Sequence, residues 1–329
     1  MDLPTFWFLA IAFLFIGYFV LEGFDFGVGV LMRTFGRDDA ERRLLLNTIG
    51  PVWDGNEVWL ITAAGGMFAA FPHWYASVFS GFYLPMLLVL LALIVRGVAF
   101  EFRGKRDDAA WRARWDWGIL CGSLLPALLW GLIFANVVRG VPLAADHEYT
   151  GGLVDLLNPF ALLGAATFAA VFVLHGAVFV ALKTTGSVRA RANALAARFG
   201  PVAVALLVGF LAWMLIGVRR DPAAVGLGIA AAVAAVGALG ANRVRREGWA
   251  FAGTAAAIGL SVAALFAALH PAVLPSTGDP AGTLTVANAA ASAYSLKIMT
   301  VVAGVFLPLV LLYQGWTYWV FRRRLSLTR

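Results

Sequence analysis

The chain has 329 residues, 61% of them hydrophobic and 13% charged, with a net charge of +7 at neutral pH. That composition excludes a soluble globular domain, and its recurring apolar runs of bilayer-spanning length indicate an all-α polytopic membrane protein. A single cysteine, Cys121, excludes an intrachain disulfide and a cysteine-ligated cluster.

In chain order the apolar runs predict nine transmembrane helices, at about 5–33, 50–71, 77–102, 117–138, 159–182, 201–218, 224–240, 249–269 and 291–320. The first run is too long, and too acidic near its end, for a cleaved signal peptide. The connections at 139–158 and 270–290 are rich in Pro, Gly and small polar residues and read as irregular loop. Trp74, Tyr75, Trp111, Trp115, Trp117, Trp316, Tyr318 and Trp319 lie near span ends, as an interfacial aromatic belt requires.

The basic residues orient these spans. Arg33, Arg37, Arg42 and Arg43 follow span one; Arg96, Arg103, Lys105, Arg106, Arg112 and Arg114 lie at or after the end of span three. Lys183, Arg189, Arg191 and Arg198 follow span five, Arg243, Arg245 and Arg246 follow span seven, and the tail adds Arg322, Arg323, Arg324 and Arg329. Only Arg139, Arg219, Arg220 and Lys297 fall on the other side, so 21 of the 25 Lys and Arg share one face. The amino terminus is expected outside and the carboxyl terminus in the cytoplasm. The positive charge is a topology signal with some attraction for anionic lipid, and it does not indicate a nucleic-acid partner.

A faint internal repeat divides the chain. Phe19-Val20-Leu21-Glu22-Gly23 recurs as Phe172-Val173-Leu174-His175-Gly176, and Gly50-Pro51-Val52 as Gly200-Pro201-Val202. This predicts two parallel four-helix units plus one extra helix: residues 1–150 with the acidic cluster, 151–290 as scaffold, and 291–329 as a ninth helix with a basic tail. The second unit keeps none of the acids, since His175 stands where Glu22 does and nothing stands for Asp54.

Polar chemistry concentrates in Gly50-Pro51-Val52-Trp53-Asp54-Gly55-Asn56-Glu57-Val58-Trp59-Leu60. Asp54 and Glu57, three residues apart, share roughly one helix face. Two readings stay open: a capped helix start, with acids complementing the helix dipole, or an ion or proton path. At about 1.5 Å per residue, Glu22 and Asp25 lie roughly 25–30 Å into span one, at the depth of Asp54 and Glu57. Arg96 and Glu101 reach that depth on span three. The six form either a charge-neutralising cluster around Arg96 or a cytoplasmic proton inlet, the latter because buried carboxylates titrate nearer neutrality. Gly23 and Gly27 form a small-residue ridge for close helix packing.

Of the four histidines, His73, His147 and His270 fall at or in outer loops and His175 lies inside a span. No pair has the spacing of a metal or bis-histidine site, so no metal or haem ligand is expected and His175 reads as a packed polar residue.

Trp53-Asp54-Gly55-Asn56-Glu57-Val58-Trp59 resembles the signature of subunit II of the cytochrome bd-type quinol oxidases. Glu22-Gly23-Phe24-Asp25-Phe26-Gly27-Val28-Gly29, Phe79-Ser80-Gly81-Phe82-Tyr83, Trp115-Asp116-Trp117-Gly118, Leu157-Asn158-Pro159-Phe160 and Leu311-Leu312-Tyr313 with Trp316 and Trp319 extend the likeness, in order, over nearly the whole chain. The resemblance implies the subunit of a quinol:oxygen oxidoreductase in a bacterial plasma membrane that ligates no haem. Its partner would be subunit I, carrying two b-type haems and one d-type haem, and a small single-span accessory subunit, quinol and lipid are compatible with it. It also implies proton delivery through the aspartate at the position of Asp54, while the family pattern accepts Gln at the position of Glu57. A structural quinone is a further cofactor that the family allows. The competing expectation is a stand-alone proton-coupled secondary transporter, for which the repeat and the membrane acids would also suit.

Overall fold

The computed structural model describes residues 2–327. Its helices are α1 (Leu3–Thr34), α2 (Asp39–Ile49), α3 (Trp53–Ala70), α4 (Pro72–Gly81), α5 (Tyr83–Phe102), α6 (Ala109–Arg139), α7 (Pro159–Lys183), α8 (Gly186–Trp213), α9 (Pro222–Arg243), α10 (Glu247–Leu269) and α11 (Ala293–Val320). Among the described residues eight helices are long and apolar enough to cross a membrane: α1, α5, α6, α7, α8 with the π-helical turn at its end, α9, α10 and α11. The remaining expected span corresponds to α3, an 18-residue helix whose first turns carry Asp54, Asn56 and Glu57.

Several boundaries differ from the sequence expectation. Span three is two helices, because α4 stops at Gly81 and α5 restarts at Tyr83, which places Pro85 in a first turn where its missing N–H costs no helix bond. Pro201, expected to open a helix, lies inside α8, which begins fifteen residues earlier in an alanine-rich run of strong helix formers. The two Gly-Pro-Val triplets of the repeat are therefore not structural equivalents: Gly50 and Pro51 separate α2 from α3. Helix α2 lies in the connection between the first two expected spans. Its start is legible as Asp38 to Glu41, where Asp38 accepts from Glu41 N at 2.8 Å and Glu41 accepts from Arg37 N at 2.9 Å, a pattern close to a capping box.

Helix α1 packs on α3 and α6, α5 on α6, α7 on α8 and α10, and α9 on α10. Helix α7 also crosses α1 and α6, and α10 packs on α1. Apolar side chains gain little from leaving lipid for protein, so close backbone approach and shape drive such crossings. Glycines supply it. A Cβ on Gly27 would sit 2.8 Å from Gly176 Cα, and one on Gly131 would collide with Gly164 O. Phe15, Phe19, Trp130, Phe134, Phe168 and Phe172 fill the space between α1, α6 and α7 with ring centroids 5.1–6.5 Å apart. Trp74, expected in the interfacial belt, is buried against Phe8 and Phe71, whereas Trp117, Trp316 and Trp319 are exposed.

The two long connections are not independent loops. Val141 N donates to Pro275 O at 3.1 Å and Thr277 N to Val141 O at 3.0 Å, which zips 140–149 to 272–285 as a cap over one end of the bundle. Gly140 holds φ +92° there, and a Cβ would press on Pro275 O at 2.8 Å. Helix α11 lies at the edge of the bundle with only Leu296 buried, and its tail is tied to the end of α7 through Leu325 N to Lys183 O at 2.8 Å.

Candidate functional site

A stripe of α3, Asn56, Trp59, Ala63, Met67 and Ala70, faces inward. This rotation decides which polar groups of the signature stretch enter the protein. Asn56 is fully buried, Glu57 lies at the rim, and Asp54, about 200° round the helix from Asn56, is exposed. Val52 is the N-cap residue and makes no side-chain capping bond, and Asp54 sits in the first turn.

Arg96 on α5 is the centre of the site. Its Nη2 donates to Glu22 of α1 and to Glu57 of α3, with Arg96 and Glu22 completely buried and the Glu57 side chain 22% exposed. The guanidinium also lies over the Phe26 ring at 4.7 Å, a cation–π contact that gains strength away from water. Asp25, also fully buried, accepts from Asn56 Nδ2 at 2.6 Å. Two carboxylates thus share one guanidinium inside a helix bundle, with the buried carboxylate of Asp25 in the same cluster. A buried charge of this kind persists only when paired or titratable, since leaving it unpaired costs several kcal/mol.

Sequence reasoning placed six residues here, and the fold assembles four: Glu22, Asp25, Glu57 and Arg96. Glu101 is exposed, because five residues along a helix turn it about 140° away from Arg96. Asp54 lies outside the cluster, one turn before Glu57. Gly27 lies against the α7 backbone and Gly23 against the Phe172 ring. The residues missed are Asn56, whose place on the inward stripe was the available signal, and Gln314 and Tyr318. Asn56 Oδ1 accepts from Gln314 Nε2 at 3.1 Å and from Tyr318 OH at 2.8 Å. Tyr318, expected in the aromatic belt, instead turns inward to this amide.

Around α2 a second charged network lies beyond the helix ends. Buried Asp116 accepts from Arg42 at 2.9 Å and from Arg103 at 2.6 Å, and Asp39 accepts from Arg103 at 2.7 Å. Partial burial alone would raise Asp39, but the hydrogen bond and charge of Arg103, with Arg112 and Arg43, hold it below its ordinary 3.8. Glu41 accepts from Arg191 at 2.5 Å. These contacts hold the α1–α3 connection against α6 and α8.

His175, buried in the bundle, is not free to ligate a haem. His175 has one ring nitrogen 2.7 Å from Thr254 Oγ1 and the other 3.1 Å from Val20 O, with its ring stacked on Phe251. His147 Nδ1 is bound to Gly282 O in the cap. No cluster of three or more His, Cys, Asp or Glu placed for a metal ion occurs among the described residues.

Comparison with known proteins gives one consistent result. The family model "Cytochrome bd terminal oxidase subunit II" matches residues 3–321. The chain is 42% identical to cytochrome bd ubiquinol oxidase subunit 2 of Bacillus subtilis, covering 99% of this chain and 97% of that one. It is 37% identical to cytochrome bd-I ubiquinol oxidase subunit 2 of Escherichia coli, covering 95% and 92%. In fold it is similar to a chain of the bd oxidase structure from Geobacillus thermodenitrificans, with a TM-score of 0.76 over 98% of this chain and 99% of that chain, at 18% identity.

Proposed function

The chain belongs to the family of cytochrome bd terminal oxidase subunit II and is a subunit of a quinol oxidase in a bacterial membrane; on that premise we propose that its first unit admits cytoplasmic protons to the site of oxygen reduction in subunit I. A stand-alone carrier is not favoured by that membership. The observation that carries the proposal is a gradient of burial along the acids: Asp54 exposed, Glu57 22% exposed at the side chain, then Glu22 and Asp25 fully buried. Acids buried stepwise into a membrane bundle are costly to place there, and such residues characteristically mark ion or proton paths. Arg96 offsets one negative charge, so the group is balanced only when some of its carboxyls hold protons.

In this reading α3 is the ninth span, entering from the cytoplasm, and the amino terminus lies outside. The units 1–150 and 151–290 have the roles of proton-active half and scaffold. Subunit I, with two b-type haems and one d-type haem, covers the face where α3, α5 and α11 expose Val58, Ile61, Leu90, Ile94, Phe306 and Trp316 beside Asp54. The haems supply the electron and oxygen chemistry; this chain's acids bind and pass protons. A structural quinone would find room in the apolar cavity of about 830 Å³ between α1, α3 and α11, where Trp59, Thr62 and Gln314 are the polar lining. An accessory single-span subunit is compatible with the same arrangement.

The test is Asp25→Asn in the intact complex. Assembly and haem content should be preserved, with turnover per haem about tenfold or more lower. Unchanged turnover per haem would end the assignment of the proton route to this residue.

A further inference from the structure

Five polar side chains on three helices form a hydrogen-bond network with one direction. It starts at Trp59 Nε1, which donates to Gln314 Oε1 at 2.6 Å. An indole N–H has no acceptor function, so the Gln314 carboxamide must present its oxygen to Trp59 and its NH₂ to Asn56. Gln314 Nε2 and Tyr318 OH both donate to Asn56 Oδ1, at 3.1 and 2.8 Å. Asn56 in turn has only its NH₂ left for Asp25, and donates to Oδ2 at 2.6 Å. The orientation of two amides, ordinarily ambiguous, is set here by one donor-only group.

We infer that Asn56, locked by Gln314 and Tyr318 of α11, is a positioning residue that holds Asp25 as a hydrogen-bond acceptor at Oδ2 and restricts its proton exchange to Oδ1. A carboxamide NH₂ donates to a carboxylate oxygen and cannot accept a proton from it, so no proton passes along this arm. Oδ1 is buried and accepts from no protein group among the described residues. The helix that supplies the lock is the one least embedded in the bundle. It is anchored at its other end by Trp7 Nε1, which donates to Thr300 Oγ1 at 3.1 Å. A displacement of α11 would therefore free the Asn56 amide to turn and offer its oxygen to a protonated Asp25. The charged and titratable groups facing Asp25 are Glu22 on its own helix, Glu57 on α3, Arg96 on α5 and Tyr318 on α11. His175 on α7 is tied to Val20 O behind it.

This inference rests on the proton route through Asp25 proposed above. It is tested in the assembled oxidase by infrared titration of the protonated-carboxyl band that Asp25→Asn removes. Gln314→Leu combined with Tyr318→Phe keeps the side-chain volumes and releases the amide; the band should then appear at higher pH by about one unit, because the carboxylate has lost a fixed donor. Trp7→Phe, which loosens α11 away from the lock, should leave the band in place. If the double variant loses haem, Asn56→Leu removes the amide outright and must move the band in the same direction. An unmoved band in a variant that retains haem overturns the inference. Loss of haem from both, with Trp7→Phe intact, also overturns it, since the amides would then serve assembly alone. A shifted band together with unchanged turnover in Asp25→Asn would uphold the lock and remove the proton route.

Discussion

Arg96 of α5 and Glu22 of α1 form an ion pair with no solvent exposure at either side chain. Glu57 shares the same guanidinium nitrogen, so the arginine joins three helices at one atom. Arg96→Met keeps most of the volume and removes the positive charge, leaving buried acids without a partner. A loss of about 3–5 kcal/mol is expected, read as a lower thermal midpoint and reduced haem retention of the complex. Arg96→Lys keeps the charge but cannot reproduce the planar contact over Phe26 and should fall between the two.

Asp54→Asn separates shape from titration. Asp54 makes no capping bond, so removal of its charge should leave assembly and haem content normal. Turnover per haem should fall, most steeply at high pH where protons are scarce, and Asp54→Glu should recover part of it. Turnover equal to that of the unmodified complex would exclude Asp54 as the entry.

Gly27→Leu should abolish the intact complex. The new side chain would meet the backbone of Phe172 and Gly176, and overpacking costs about 1–3 kcal/mol or more when backbone must move. Gly23→Leu meets a Phe172 ring that can turn and should be milder. Gly237→Ala on α9 meets nothing within 4 Å and serves as the control; recovery of haem-loaded complex is the measurement.

The latch formed by α2 has a pH dependence of definite sign. Asp39 is held below its ordinary 3.8 in the folded protein, so its contribution is present above that value. It is lost as pH falls through the lower, folded pKa. Hydrogen exchange of residues 38–49 should thus be independent of pH-driven opening between pH 5 and 8 and rise only in acid. Opening near neutrality would contradict the Arg103 pairing.

A reporter fused after Arg329 should read cytoplasmic, and a tag before Met1 should be accessible from outside. Both residues lie outside those the structure describes. Labelling of both ends on one side would imply an even number of spans and invert the assigned depth of the acids.

Class and most helix positions were legible in the sequence because each is a local property, and the orientation expected from the sequence rests on an additive one. In a bilayer every backbone group must be bonded within its own helix, so an apolar run of sufficient length specifies its element almost unaided. The bias of Lys and Arg adds up loop by loop without reference to packing. The Gly23 and Gly27 ridge was legible for the same reason, since small residues four apart have few other uses in a span. The departures are also instructive. Pro201, expected to open a helix, lies within one because the alanine-rich helix before it carries through; the mutual pairing of the two long connections joins segments over 130 residues apart.

What the sequence could not supply was the rotation of each helix about its axis. Lipid and protein interior are equally apolar, so α3 shows no amphipathic stripe strong enough to say which side faces inward. Asp54 and Asn56 differ by two positions, and that rotation alone put the amide inside and the acid outside. The partners that give Asn56 its role, Gln314 and Tyr318, come from about 260 residues away. They meet it because α11 packs against α1 and α3, a contact whose specificity lies in hydrogen-bond geometry and close packing rather than in hydropathy.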